Sequence, residues 1–153
     1  MSPGVVVLLV AVVAALGFGS WRAVTDGRFR GTHAVRRTAG SVADAPAPAT
    51  TPAGAELVAA VGGALGERAT LLQFSTAFCA PCRATRRVLG EVTGLVDGVA
   101  HVEVDAEHHL EATRAFGILR TPTTVVLDAS GAEVTRATGA PTRDQVLTAL
   151  ALV

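Results

Sequence analysis

The stretch from Pro3 to Trp21, PGVVVLLVAVVAALGFGSW, carries no charged side chain. As a helix, about 19 residues rising about 1.5 Å each cover about 28 Å, close to the hydrocarbon core of a bilayer. Trp21 ends the run where an interfacial aromatic belongs. The rival reading is a cleaved signal peptide, which calls for a basic leader, a shorter apolar core and a small-x-small cleavage site. Nothing basic stands ahead of the run, and Phe18 and Trp21 interrupt the small residues Gly17, Gly19 and Ser20. Residues 1–22 are therefore expected to form an uncleaved single-pass anchor in the cell membrane. Arg22, Arg28, Arg30, Arg36 and Arg37 follow it, and the positive-inside rule puts what comes next on the cytoplasmic face. An extracytoplasmic domain is the alternative.

Residues 23–54 then divide into a basic juxtamembrane stretch and a spacer, AGSVADAPAPATTPAG from 39 to 54, with one acid and no bulky apolar group. Such a segment cannot build a core. Residues 55–153 are enough for one domain. With 13 basic and 13 acidic residues the formal net charge is +0, so nucleic acid is not an expected partner. All the basic side chains other than histidine are Arg, a coding bias that accompanies the abundance of Ala, Gly and Val.

The domain's pattern alternates. Glu56–Leu65 reads as a short amphipathic helix and Thr70–Ser75 as a buried strand. From Cys79 to about Val96, the residues Ala84, Val88, Val92 and Leu95 predict one helical stripe. Val99–Asp105 reads as a strand, Glu107–Phe116 as a helix, and Thr123–Leu127 and Glu133–Thr138 as a hairpin around Asp128–Gly131. Thr142–Val153 closes with a helix whose stripe is Val146, Leu147, Leu150 and Val153. The order αβαβαββα implies an α/β fold, a mixed central sheet with helices on both faces.

The only cysteines are Cys79 and Cys82. On a helix's first turn they can close a disulfide with little backbone movement. Unpaired N–H groups and the helix macrodipole favour Cys79 as a thiolate, which makes it the nucleophile and Cys82 the resolving thiol. Pro81 suits a helix start. Half a zinc site is the competing reading, with His101, His108 and His109 as ligands by type only. No metal is expected. His108 and His109 are expected on a solvated surface, and Arg86 and Arg87 on the wet face of the helix, with some positive potential near Cys79.

Phe78-Cys-Ala-Pro-Cys82-Arg83 resembles the Trp-Cys-Gly-Pro-Cys-Lys centre of thioredoxins. Phe116-Gly-Ile-Leu-Arg-Thr-Pro122-Thr resembles that family's Tyr-Gly-Ile-Arg-Gly-Ile-Pro-Thr, and the likeness spans residues 56–153. The resemblance, in a chain of bacterial, actinobacterial-type composition, implies a thioredoxin fold behind one transmembrane helix and a cis Thr121–Pro122 bond. It implies a thiol–disulfide oxidoreductase active in redox homeostasis, with no dissociable cofactor; Pro81, typical of the family's reducing members, and the expected cytoplasmic face favour a protein-disulfide reductase. Phe78, Ala80, Pro81, Thr121 and Pro122 would contact the client. The implied partners are disulfide-bearing proteins and a thiol reductase, met by a monomer. The alternatives are an outward-facing protein serving secreted or cytochrome-maturation clients, or a non-catalytic metal- or partner-binding module.

Three departures stand out: Phe78 for Trp, Ala80 for Gly, and Gln73 where thioredoxins bury an Asp that deprotonates the resolving cysteine. Gln cannot act as a base, which predicts slower turnover or fewer clients. His101 takes the place of the family's buried Lys. Gln73 and His101 are the candidates for a proton relay, with His101 acting through water on Cys82; the plainer reading makes His101 a partly exposed histidine at a strand start.

Overall fold

The computed structural model describes residues 2–25, 27–31 and 51–153. Most of the expected spacer, with His33, Arg36 and Arg37, lies outside the described residues. Helix α1 (Pro3–Thr25) contains one candidate membrane span, Pro3–Trp21, with none of it buried inside the protein. Strand β1 (Phe29–Gly31) follows, then α2 (Ala53–Ala60), β2 (Ala69–Ser75), α3 (Ala80–Thr93) and β3 (Val99–Asp105). Helix α4 (Leu110–Ala115), strands β4 (Thr123–Asp128) and β5 (Glu133–Thr138), and helix α5 (Arg143–Leu150) complete the chain. From Ala53 onward the order is the expected αβαβαββα. The sheet runs β1-β5-β4-β2-β3. Its β2–β3 pair is parallel and the other pairs are antiparallel.

All seven residues of β2 are buried, because helices cover both faces of a central strand. Side chains alternate across the sheet. Leu72 and Phe74 join Val102, Val104, Val125 and Leu127 under Leu57 and Val58 of α2. On the opposite face Ala69 and Leu71 pack with Leu89 and Val92 of α3 and with Val146, Ala149 and Leu150 of α5. By the same alternation Gln73 points towards α3.

Several local expectations shift. The buried face of α3 is Cys82, Thr85, Leu89 and Val92, whereas Ala84 is exposed. Leu95, 59% exposed, lies beyond the Gly94 cap, so counting it rotated the stripe by about a residue. Helix α2 starts at Ala53 and stops at Ala60, ahead of Gly62 in the left-handed region (φ 73°). Its start is earlier than Glu56, and buried Gly54 in its first turn lets the β4–β5 hairpin come close. A Cβ on Gly54 would strike the Gly131 carbonyl oxygen and lie 2.8 Å from Leu127 Cδ1. Helix α4 begins only at Leu110, because Asp105 Oδ1 accepts from Glu107 N–H at 2.8 Å and holds the preceding residues in a turn. Strand β1 falls inside the stretch read as juxtamembrane. Three residues, Phe-Arg-Gly, show no alternation, and only their pairing with β5 makes them a strand.

Candidate active site

Strand β2 ends at Ser75 and delivers Thr76–Phe78 to the start of α3. Cys79 caps that helix in extended conformation (φ −99°, ψ 99°), and Pro81 occupies its first turn. The Cys79 Sγ accepts a hydrogen bond from the Cys82 N–H at 3.1 Å. The two cysteines form a disulfide, their Cα atoms 5.2 Å apart, within the range such bonds favour. Cys82 is buried and Cys79 half-buried; Ala80 and Pro81 are exposed and Phe78 is fully so. One sulfur is therefore reachable and its partner sits in the core.

The peptide bond between Thr121 and Pro122 is cis, as the family resemblance implied. The hydroxyls of Thr121 and Thr76 lie 3.3 Å apart, which ties the segment leading into β4 to the one leading into Cys79. A cavity of about 370 Å³ opens beside them, lined by Thr76, Cys79 and Cys82 together with Ser75, Arg86 and Glu103.

Beneath Cys82 lies a buried polar chain. Gln73 Nε2 donates to Ser75 Oγ at 2.7 Å and to the Cys82 carbonyl at 3.1 Å. Its donors thus occupied, Gln73 accepts through Oε1 from His101 Nε2 at 3.1 Å. Ser75 in turn helps to lower the Glu103 carboxyl. Glu103 receives both Arg86 Nε and Nη2 at 2.6 Å. Hydrogen-bond polarity therefore runs from His101 through Gln73 to Ser75 and the Cys82 carbonyl.

Burial pushes the His101 imidazole below its ordinary value; nearby Glu103 works against this and Arg86 with it. Burial would raise Glu103, but the hydrogen bonds from Arg86, helped by Ser75, outweigh it and hold the carboxyl below its usual range. Arg86 is raised by its bond to Glu103.

Phe78, Cys79, Ala80, Pro81, Thr121 and Pro122 thus lie at one end of the sheet, while Gln73 and His101 lie further down the strands, on the face turned to α3 and Cys82. The expectation did not include Ser75, Thr76 or Glu103. The strand alternation held a signal for Glu103, since His101, Glu103 and Asp105 share the face that β3 turns to α3. Arg86 is exposed as expected, but its charge is engaged by Glu103. His108 is exposed and pairs with Asp105 at 2.8 Å, and His109 precedes α4 without a capping bond. Among the described residues no group of three His, Cys, Asp or Glu side chains could hold a metal ion.

A family model described as a thioredoxin-like domain matches residues 59–153. The chain belongs to the thioredoxin-like family. The solved structures it resembles include thioredoxins. One is a point-mutant thioredoxin of Halobacterium salinarum, at 20% identity and TM-score 0.51, covering 55% of this chain and 73% of that one. The thioredoxin of Fasciola hepatica shares 22% identity and a TM-score of 0.51 over 63% of this chain and 86% of its own. Thioredoxin F of spinach chloroplast (short form) shares 24% identity and the same TM-score over 63% and 81%. These likenesses establish the fold. A search of curated proteins found no match. The thioredoxin-like domain, with its bonded cysteine pair, supports a thiol–disulfide oxidoreductase at the general level.

Proposed function

We propose that this thioredoxin-like protein is a membrane-tethered protein-disulfide reductase working through Cys79 and Cys82. The observation that carries the reading is the disulfide at the amino end of α3, with its outer sulfur reachable and its inner sulfur sealed in the core. When that bond is reduced, the free N–H groups of the first helical turn favour Cys79 as thiolate. The Cys82 N–H already points at its sulfur. The Cys79 thiolate attacks one sulfur of a client disulfide, and the other client sulfur leaves as a thiolate. Cys82, losing its proton, then attacks Cys79 and expels the second client thiolate, so the client gains two electrons and the pair becomes a disulfide again. A thiol reductase restores the dithiol.

Phe78, Ala80 and Pro81 form the rim a client meets, and Thr121 and Pro122 offer backbone beside Cys79. Gln73 positions rather than carries protons: its amide ties the Cys82 carbonyl to β2. With His101 acting as donor to Gln73, its basic lone pair lies on Nδ1, so any proton it takes from Cys82 travels through water. The arginines after α1 support a cytoplasmic domain, tested by a C-terminal reporter active on one side only.

The exchange itself is tested by trapping. Cys82→Ser should accumulate mixed disulfides with client proteins, lost on reduction, and Cys79→Ser should accumulate none. A Cys82→Ser protein that captures nothing covalently, with unchanged function, would leave only a binding module.

A further inference from the structure

We propose that the redox pair is held towards the bilayer and that its client is a disulfide lying close to the membrane surface in a membrane-embedded protein. This rests on the readings of α1 as an anchor and of Cys79 and Cys82 as an exchange pair. Register decides the geometry. Phe29 pairs with Ala137, Ala137 with Thr124, Thr124 with Gln73 and Gln73 with Glu103, one row across the whole sheet. β5 is antiparallel to β4, and β4 to β2, so β1 begins at the end of the sheet where β2 finishes. Cys79 follows β2 at that end, and Thr121 and Pro122 precede β4 there. The chain leaving the anchor thus enters the domain at its active-site end.

That junction has little slack. One residue, Asp26, separates the end of α1 from Gly27. The Gly27 N–H donates to the Thr138 carbonyl at 2.8 Å. Its φ is +74°, and a Cβ there would lie 2.6 Å from the Ala140 carbonyl carbon and 2.8 Å from Pro141 Cα. The same loop reaches the site, for the Gly139 N–H donates to the Pro122 carbonyl at 2.8 Å. Beyond Trp21 the helix rises about 6 Å to its end, and the chain to Phe29 extends at most about 14 Å more. The β1 edge of that end of the sheet therefore stays within about 20 Å of the interface. β1 and β2 are three strand spacings apart, about 14 Å.

The long Ala/Pro/Thr spacer comes after β1 and lends the anchor no reach. Phe78 and Leu119, 100% and 97% exposed, flank Cys79 and Pro122. Bare apolar side chains at this rim suit an apolar, near-bilayer partner surface better than a polar soluble one.

The test uses the full chain, reduced beforehand, in vesicles of phosphatidylcholine and phosphatidylglycerol. Its substrates are single-span peptides whose intramolecular disulfide lies about three or about thirty residues beyond the span, a reach of about 30 Å for the longer one. Single-turnover reduction of the near disulfide should be at least about tenfold faster. Inserting about twenty Gly/Ser residues between Thr25 and Gly27 adds about 25 Å of reach and should bring the two rates together. Equal rates for the unmodified chain, or a faster distant disulfide, overturn the proposal. Two controls separate its failure from that of its premises. Release from vesicles by carbonate refutes the anchor, and failure to reduce a soluble disulfide in detergent refutes the exchange chemistry; either removes the proposal with it.

Discussion

Replacing Gln73 by Leu removes the amide that joins β2, β3 and α3. Gln73 is fully buried and makes three hydrogen bonds, two as donor and one as acceptor. Each lost donation costs about 1 kcal/mol, and the half-buried His101 N–H left without its acceptor costs about 1–2 kcal/mol more. The added apolar contact of Leu offsets about 1 kcal/mol. The net loss is about 2–3 kcal/mol, which lowers the melting temperature of a domain of about 100 residues by about 10–20 °C. Thr124 sits opposite Gln73 on β4 and is the control, because its buried hydroxyl makes no hydrogen bond. Thr124→Val removes nothing that is paired and should stay within about 0.5 kcal/mol of the parent or stabilise it. Urea titration of the full chain in mild detergent, followed by far-ultraviolet circular dichroism, reads both variants. Fluorescence would not, since the single Trp lies in α1 and there is no Tyr. If Gln73→Leu unfolds at the parental urea concentration, or the two variants behave alike, the buried amide is not what holds the site.

Arg86→Gln leaves the Glu103 carboxylate beside the cavity without its cation. It should raise the Cys79 thiol pKa, seen as an alkaline shift in the pH profile of alkylation, while stability changes by less than about 1 kcal/mol because the pair is exposed; an acid shift would refute the assignment. His101 and Glu103 both ionise below their ordinary values of 6.5 and 4.5 in the folded protein, so the unfolded chain takes up protons first. Stability should be full above pH 6.5, fall below it as His101 protonation favours unfolding, and fall again below pH 4.5 with Glu103. His101→Gln should flatten the first decline in urea midpoints, and an unchanged curve would exclude His101 as its source. Gly54→Ala forces apart α2 and the β4–β5 hairpin and should cost about 1–3 kcal/mol. Gly90→Ala, where a Cβ meets open space within α3, should stabilise by about 0.5–1 kcal/mol, both read by the same titration.

Elements whose signal is local were legible in the sequence. The β3 and β5 bounds agree with the residue pattern, because alternation within a strand depends only on neighbours two apart. Cys79 and Cys82 were legible because the chemistry of the pair follows from spacing and helix position. α1 was legible from the length of its apolar run. The polar chain under Cys82 was not. Ser75 and Glu103 are ordinary residues until the parallel pairing of β2 with β3 and the packing of α3 bring them to one place. His101 and Gln73 were singled out by resemblance, but the direction of their hydrogen bond depends on where the Gln73 amide donates.

The order of elements, the apolar span and the reactive pair thus follow from the chain itself, because helix and strand periodicity and thiol chemistry act over a few residues. Strand β1 shows the other side. Three residues without a pattern become an edge strand only because β5 presents free backbone groups, and that pairing sets which end of the sheet the chain enters after α1. Long-range hydrogen bonding between strands decides it, and no local preference encodes such a partner.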